Sequence, residues 1–160
     1  MLALTLAVAL HAAPPAKKLD WKDLWDVAGV GRNDTRETVI KKWGPPDIDR
    51  GRIVGWKDGV LIEFRLDGAT QLDFSAEGTK KFRADRKSAL LDLVDQPCDA
   101  AKGRLPLQKG APGCKHYDPA GWTIEVKVLC FDGKLSNLTV VWTPMPEAKG
   151  QKQLPPDECR

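Results

Sequence analysis

The feature that most constrains the fold is a stretch in which apolar and polar residues alternate with a period of two. It is the segment GVLIEFRLDGATQLDF, which ends at Phe74, and the dipeptide Asp67-Gly68 divides it into two runs. Such alternation is typical of a strand with one buried face, and Asp-Gly between two strands favours a hairpin. We therefore expect an antiparallel sheet whose inner face includes these side chains: Val60, Ile62, Phe64, Leu66, Leu72 and Phe74.

Further strands are expected on both sides of this hairpin. A short strand around RIVGW would join it through the turn at Asp58-Gly59. Later in the chain, GWTIEVKVLCFDGKL has the same alternation, with Ile124, Val126 and Val128 on the apolar side. The chain therefore has several strands in each half.

Two short helices are expected before the first strand. In LDWKDLWDVAG, Asp20 can be the N-cap residue, and Asp23, three residues later, can complete a capping box. Leu19 can pack on Leu24, and Gly29 is expected to end the helix. In NDTRETVIKKWGPPD, Asp34 and Glu37 form a second capping-box pair, and Gly44 with two prolines ends that helix. Its apolar face would consist of Val39, Ile40 and Trp43.

The two halves of the chain can be aligned as a degenerate repeat of a helix followed by strands. TRETVIKKWGPPD aligns with RKSALLDLVDQPCD without a gap, and GVLIEFR aligns with GWTIEVK. Chance alternation of apolar residues is the competing interpretation. The expected organisation is one α+β domain over 19–143, with repeat one at 19–74, repeat two at 83–143, a loop insertion at 99–120, and an extended tail at 144–160.

The first residues, MLALTLAVALHAAPPA, are typical of a secretory signal sequence. The apolar run from Leu2 to Leu10 is too short for a bilayer, which takes about 20 residues. We expect a signal peptide over 1–15, cleaved near Ala12 to Ala13, although no Lys or Arg precedes the apolar run. A buried N-terminal helix is the alternative. The mature chain is expected to be periplasmic or extracellular, without a transmembrane segment.

The four cysteines agree with export, because an even number in a small exported chain predicts two disulfides. Four cysteines allow three pairings, and the sequence leaves all three open. Cys114 and His116 are two residues apart, but no CxxC pair accompanies them, so we expect neither a metal site nor a cofactor. The cysteines are Cys98, Cys114, Cys130 and Cys159.

Charge and motifs argue against nucleic-acid binding and against catalysis. The formal net charge of +3 arises from 25 basic and 22 acidic residues mixed along the chain, without a long basic run. His116 is the single histidine after the expected signal peptide, and no serine lies in a G-x-S-x-G sequence. We therefore do not expect an enzyme.

Strand alternation predicts a binding surface on the face of the sheet that points away from the core. Its partner-facing side chains would be Leu61, Glu63, Arg65, Glu125 and Lys127, with Trp56, Tyr117 and Trp122 at hairpin ends as anchors. Leu129 and Phe131 share the outward parity of their strand. A solvated sheet face without a partner is the alternative interpretation.

A helix that ends in WGPPD before a hairpin with a DG turn resembles the BamE/SmpA-type exported domain. Two such units in tandem resemble the β-lactamase-inhibitor-protein (BLIP) fold, and the matching segments are 37–47, 55–68 and 121–135. The resemblance implies a sheet built from both repeats, with helices on one face and the other face open. The lipid-attachment cysteine of BamE-type proteins is missing.

Together these observations predict an exported, disulfide-containing α+β protein whose role is non-catalytic binding of another envelope or extracellular protein, as an inhibitor, adaptor or assembly factor. The main alternative is a small-ligand-binding protein with a groove lined by Trp and Tyr. A small hydrolase is the third.

Overall fold

The computed structural model describes residues 17–68, 70–84, 86–149, 151 and 153–160. The expected signal peptide at 1–15 lies outside the described residues. Strands and helices have the following bounds: β1 Asp26–Val27, β2 Val30–Gly31, α1 Arg36–Trp43, β3 Ile48–Arg50, β4 Ile53–Trp56, β5 Val60–Phe64, β6 Thr70–Ser75, α2 Ala76–Phe82, α3 Cys98–Arg104, β7 Gly113–Asp118, β8 Trp122–Phe131, β9 Lys134–Pro144 and β10 Glu158–Cys159. Short 3-10 helices span Trp21–Leu24, Leu91–Leu93 and Pro146–Ala148.

Eight of the strands form one antiparallel sheet in the order β10-β7-β8-β9-β6-β5-β4-β3, and β1 pairs with β2 in a separate two-stranded sheet. The consecutive strands β3 to β6 form one side of the sheet, and β7 to β9 with β10 at the edge form the other; β6 pairs with β9 where the two sides meet. This mixed architecture with an antiparallel sheet confirms the expected α+β class. That the two halves are repeats stays a prediction.

Strand register confirms the predicted alternation. Ile62 is paired with Val54 and with Leu72, Leu72 with Val140, and Val140 with Val126. We call the face that carries this row the inner face. Its large apolar side chains are Val54, Trp56, Val60, Ile62, Phe64, Leu72, Phe74, Ile124, Val126, Val128, Leu138, Val140 and Trp142.

Two residues depart from the predicted positions on this sheet. Leu66 was expected on the inner face, but β5 ends at Phe64 and Leu66 is 88% exposed in the turn that follows. Trp56 was expected at the surface as a binding anchor, but it is 3% exposed and its Nε1 donates to the carbonyl of Gly44 at 3.2 Å. Because Trp56 pairs with Val60, it shares the inner face and packs edge-on against Trp43.

A single cluster of buried side chains joins the inner face to the helices and loops. Trp142 lies fully buried in it and donates from Nε1 to the carbonyl of Leu24 at 3.1 Å. The helices and 3-10 helices contribute these buried residues: Leu24, Val39, Trp43, Phe82, Leu91, Leu93 and Ala101. Residues from both halves of the chain therefore share one core.

The first predicted helix is shorter than expected, and the second begins one residue later than expected. Asp20 and Asp23 do form the predicted capping box, but the helix that they begin is a single 3-10 turn. Helix α1 is capped by Thr35, whose hydroxyl accepts from the amide of Thr38, rather than by Asp34. Asp34 instead accepts from the amide of Gly31 at 2.7 Å, because its carboxylate turns back onto the preceding strand.

Differences in the second half are larger. Where the repeat predicted a helix equivalent to α1, the chain forms only the 3-10 helix Leu91–Leu93. Segment 99–120, expected to be a loop insertion, contains most of helix α3 and all of strand β7. Its glycines and prolines suggested a loop, but β7 is held in the sheet by pairing with β8 along its full length.

Two disulfides are present, as predicted, and the pairs are Cys98–Cys130 and Cys114–Cys159. The first joins α3 to β8, and the second joins the edge strand β10 to its neighbour β7. Cys159 therefore attaches the end of segment 144–160 to the sheet. Within the described residues, no helix has both the length and the apolar composition needed to cross a membrane.

Candidate functional site

The side chains opposite the inner face form what we call the outer face of the sheet. One row across the strands contains Glu63, Gln71, Val141 and Glu125, and the next contains Leu61, Asp73, Thr139 and Lys127. Four residues predicted for the binding surface, Leu61, Glu63, Glu125 and Lys127, therefore lie on one face as expected from their parity. Arg65 does not join them, because it follows the end of β5.

The centre of the outer face is a hydrogen-bonded polar group. Asp73 accepts from Gln71 Nε2 at 2.8 Å and from the hydroxyl of Thr139 at 2.6 Å. The same hydroxyl lies 3.2 Å from Asn137 Oδ1. These contacts satisfy the polar groups between β6 and β9 and hold their side chains in place, which lowers the entropy that a partner would have to remove on binding.

Beside this group, Lys127 Nζ lies 3.0 Å from Glu125 Oε1 on the same strand. Both side chains are accessible to solvent, so their ion pair contributes little to stability, at most about 1 kcal/mol. Charges of this kind can instead set the orientation and the rate of association with a partner.

The most exposed large apolar side chains of the outer face are at the end of the β8–β9 hairpin. Leu129 is 63% exposed and Phe131 is 77% exposed. The hairpin turn is Asp132-Gly133, with φ values of 49° and 71°, which is the conformation that a two-residue turn between twisted strands favours. Sequence parity had already placed both apolar residues outward.

The same hairpin is fixed in place by a disulfide and by hydrogen bonds. Cys130, between the two exposed residues, is bonded to Cys98 at the start of α3. The backbone amide of Cys98 donates to the carbonyl of Gly133 at 2.8 Å, and the Ser136 hydroxyl donates to the carbonyl of Leu129 at 3.0 Å. Leu129 and Phe131 are thus presented on a preorganised element.

A groove of about 240 Å³ lies partly on the outer face, next to the edge of the sheet that β10 forms. Its volume is smaller than the roughly 300–1,000 Å³ typical of small-molecule sites. We call it the edge groove; it is lined by Pro112, Gly113, Cys114, Lys115, Glu125, Lys127, Val128, Glu158 and Arg160.

The remaining predicted anchors, Tyr117 and Trp122, are already engaged within the protein. Tyr117 is 6% exposed, and its hydroxyl donates to Glu158 on β10. That hydrogen bond, together with burial, raises the pKa of Tyr117. Lys115 Nζ lies 5.2 Å from the centre of the Tyr117 ring.

Trp122, the first residue of β8, contacts Arg32, the residue after β2. The guanidinium of Arg32 lies 5.6 Å from the Trp122 ring and 4.4 Å from that of Trp25, and it bonds to Asp118 at 2.6 Å. Burial favours a higher pKa for Asp118, but hydrogen bonds from the amide of Ala120 and from Arg32 outweigh burial and leave that pKa below its usual value. Arg32 therefore connects the segment after β2 to β7 and β8.

His116, considered in sequence as a partner for Cys114, lies in a different setting. Its ring stacks on Trp21 at 4.8 Å between centroids, and its Nδ1 is 2.7 Å from Asp157 Oδ1. Cys114 is in a disulfide, so it provides no thiolate for His116. Among the described residues, no group of three or more His, Cys, Asp or Glu side chains is placed to hold a metal ion.

Comparison with protein-family models, with curated proteins and with solved structures finds no match for this chain.

Proposed function

We propose that this protein is an exported, non-catalytic protein-binding module, and that it binds another envelope or extracellular protein through the outer face of its sheet. The observation that carries the proposal is the pair Leu129 and Phe131, both largely exposed on a hairpin that a disulfide anchors. The BamE/SmpA-like and BLIP-like arrangement, with two repeats and helices over the inner face, is part of the same proposal.

Two exposed apolar side chains on a rigid support have the properties of interface anchors. Burying such a side chain against a partner contributes roughly 1.5–3 kcal/mol. Because the hairpin is already ordered by Cys98–Cys130 and by the Ser136 hydrogen bond, little conformational entropy is lost on binding. The ordered polar centre around Asp73 and the Glu125–Lys127 pair would then form the polar rim of the interface.

Export is supported by the two disulfides, since such bonds form and persist in oxidising compartments. The apolar segment before residue 16 supports it independently. A partner would accordingly be met in the periplasm or outside the cell.

The proposal is tested by affinity capture from an envelope extract with four baits. These are the chain from residue 17 onward, the same chain with Leu129→Ser and Phe131→Ser, the chain with Glu125→Ala and Lys127→Ala, and a control with Leu66→Ser. Leu66 is the matched control because it is also a highly exposed apolar residue, but it lies outside the outer face.

We expect a protein that the unchanged chain and the Leu66→Ser control retain and that the Leu129/Phe131 variant loses. Titration of that partner should show affinity reduced at least about a hundredfold for the Leu129/Phe131 variant, as expected for two anchors. The Glu125/Lys127 variant should bind more weakly and more slowly. Recovery of the same proteins by all four baits would contradict the proposal.

The second candidate is binding of a small ligand, and the edge groove is the observation that favours it, although its lining includes neither Tyr117 nor Trp122, the aromatic residues expected to line such a groove. Saturable quenching of Trp fluorescence by a small apolar ligand, unchanged by Leu129→Ser and Phe131→Ser, would favour this candidate over protein binding.

A further inference from the structure

Positive charges that are far apart in the sequence are gathered on one part of the surface. They come from the first described residues, from the loop before Leu91, from α3 and from the loop after it. We call this the basic surface and define it as Lys17, Lys18, Lys22, Lys87, Lys102, Arg104 and Lys109. It does not include the outer face of the sheet.

Backbone contacts hold the first described segment against the end of α3. The amide of Leu19 donates to the carbonyl of Arg104 at 2.7 Å, and Arg104 Nε donates to the carbonyl of Lys17 at 3.3 Å. Leu19 itself is buried in the core. The cations of two distant segments are therefore fixed next to each other.

The positive charge of this surface is only partly neutralised. Lys22 pairs with Asp20 at 2.9 Å, and Lys17 pairs with Asp23 at 3.8 Å. Seven cations lie on or beside this surface with five carboxylates, an excess of two; the carboxylates are Asp20, Asp23, Asp26, Asp99 and Asp157.

Four lysine side chains of the basic surface make no ion pair with any described residue: Lys18, Lys87, Lys102 and Lys109. Two of the cations, Lys102 and Arg104, lie at the C-terminal end of α3, where a positive charge complements the helix dipole. One helix end offers only about half an elementary charge, which leaves the excess uncompensated.

Two clefts lie within the basic surface, and both the first described segment and α3 contribute residues to each of them. The first, of about 400 Å³, is lined by Lys17, Lys22, Lys87 and Arg104 among others. The second, of about 510 Å³, is lined by Lys18, Lys102 and Lys109. Because Lys17 and Lys18 are adjacent and α3 contributes to both clefts, one extended anion could cross both.

We propose that the basic surface binds an acidic polysaccharide, a flexible chain with regularly spaced sulfate, phosphate or carboxylate groups. Repeated anions along such a chain match uncompensated lysines in two neighbouring clefts. No aromatic residue lines either cleft, so the stacking platform of single-stranded nucleic acids is missing from the described surface.

A membrane is a poorer match for the same residues. Surface-bound segments insert exposed apolar side chains beside their cations. Here the leucines that line the clefts are turned into the protein: Leu19, Leu90 and Leu105 are buried, and Leu107 packs against the core.

The test uses the chain from residue 17 onward and heparin, a densely sulfated polysaccharide, as the probe. The test variant has Lys87→Glu, Lys102→Glu and Lys109→Glu, because no described partner would be lost. The control has Lys41→Glu, Lys57→Glu and Lys80→Glu, three lysines that line neither cleft. Both variants change the formal net charge from +3 to −3, since each substitution replaces one positive by one negative charge.

We expect the unchanged chain to bind immobilised heparin at moderate ionic strength, and the affinity to fall steeply with added salt. The test variant should lose at least about tenfold in affinity, and the control variant distinctly less. Equal losses in both variants would overturn the proposal, because they would show a response to net charge alone. No binding of the unchanged chain would also overturn it, as would tighter binding to anionic phospholipid vesicles or to single-stranded DNA.

Discussion

At the scale of single residues, the contact that leaves least room for a side chain is between the backbones of two glycines. A side-chain carbon built on Gly78 in α2 would lie 2.2 Å from the Cα of Gly59, in the turn between β4 and β5. The amide of Ser75, which caps α2, donates to the carbonyl of Gly59 at 2.7 Å. Helix α2 can therefore approach the sheet this closely only because neither position has a side chain.

We predict that Gly78→Ala lowers the free energy of unfolding by about 3 kcal/mol or more, since backbone atoms must move to admit the methyl group. Urea denaturation followed by circular dichroism measures the change. Gly103→Ala in α3 is the matched control, because nothing lies within 4 Å of the added carbon. That control should be neutral or stabilising by about 0.4–1 kcal/mol. Equal effects of the two substitutions on the free energy of unfolding would contradict the prediction, because they would show that α2 and the sheet can accommodate a side chain at Gly78.

At the scale of elements, the disulfides have different tasks. Cys98–Cys130 joins α3 to a long central hairpin, whereas Cys114–Cys159 holds a strand of only two residues at the edge of the sheet. Apart from the disulfide, β10 is held by the contact of Glu158 with Tyr117, by the contact of the preceding Asp157 with His116, and by a few backbone hydrogen bonds. Such contacts at a surface are weak, so the disulfide should determine whether the tail stays in place.

We predict that Cys114→Ser with Cys159→Ser releases the tail while the rest of the sheet stays folded. A protease that cleaves after lysine should then cut at the exposed Lys149 many times faster than in the unchanged chain. The control is Cys98→Ser with Cys130→Ser, which leaves β10 attached and should lower global stability by about 2–5 kcal/mol without selective cleavage of the tail. Unchanged protection at Lys149 would mean that pairing with β7 is sufficient.

At the scale of the whole molecule, the two halves of the chain depend on each other. The β6–β9 pairing joins them at the centre of the sheet, and Trp142 of the second half donates to Leu24 of the first. The core is one cluster, so neither half can bury its inner face alone.

We predict a single cooperative unfolding transition, with coincident curves from Trp fluorescence and from circular dichroism in urea. A fragment of residues 17–84 should show no cooperative transition, because it leaves β6 without its β9 partner. Two separate transitions in the full chain, or a fragment that unfolds cooperatively, would contradict one shared core.

Some features of the whole molecule could be predicted from local sequence patterns, and others could not. The face of each strand residue was predictable because side chains alternate with a fixed period, and the registers of Ile62 and Val126 agree with it. Two disulfides were predictable from composition, but their pairing depends on which strands become neighbours.

Among the predicted binding residues, strand alternation alone was enough to predict the outer-face positions of four: Leu61, Glu63, Glu125 and Lys127. The prediction that Trp56 is a surface anchor was wrong. It rested on the residue type alone, whereas the pairing of Trp56 with Val60 places its side chain on the inner face. The prediction that segment 99–120 is a loop was also wrong. Its glycines and prolines indicated a loop, whereas pairing with β8 makes part of the segment a strand.

The sequence by itself thus determined the α+β class, the strands around two Asp-Gly turns, the orientation of their side chains and the number of disulfides, because these follow from short-range periodicity and turn chemistry. Only the tertiary structure decided the strand order, the disulfide partners, the rigid exposed hairpin and the basic surface. Those features depend on contacts between residues far apart in the chain, such as Leu19 with Arg104, which no local pattern encodes.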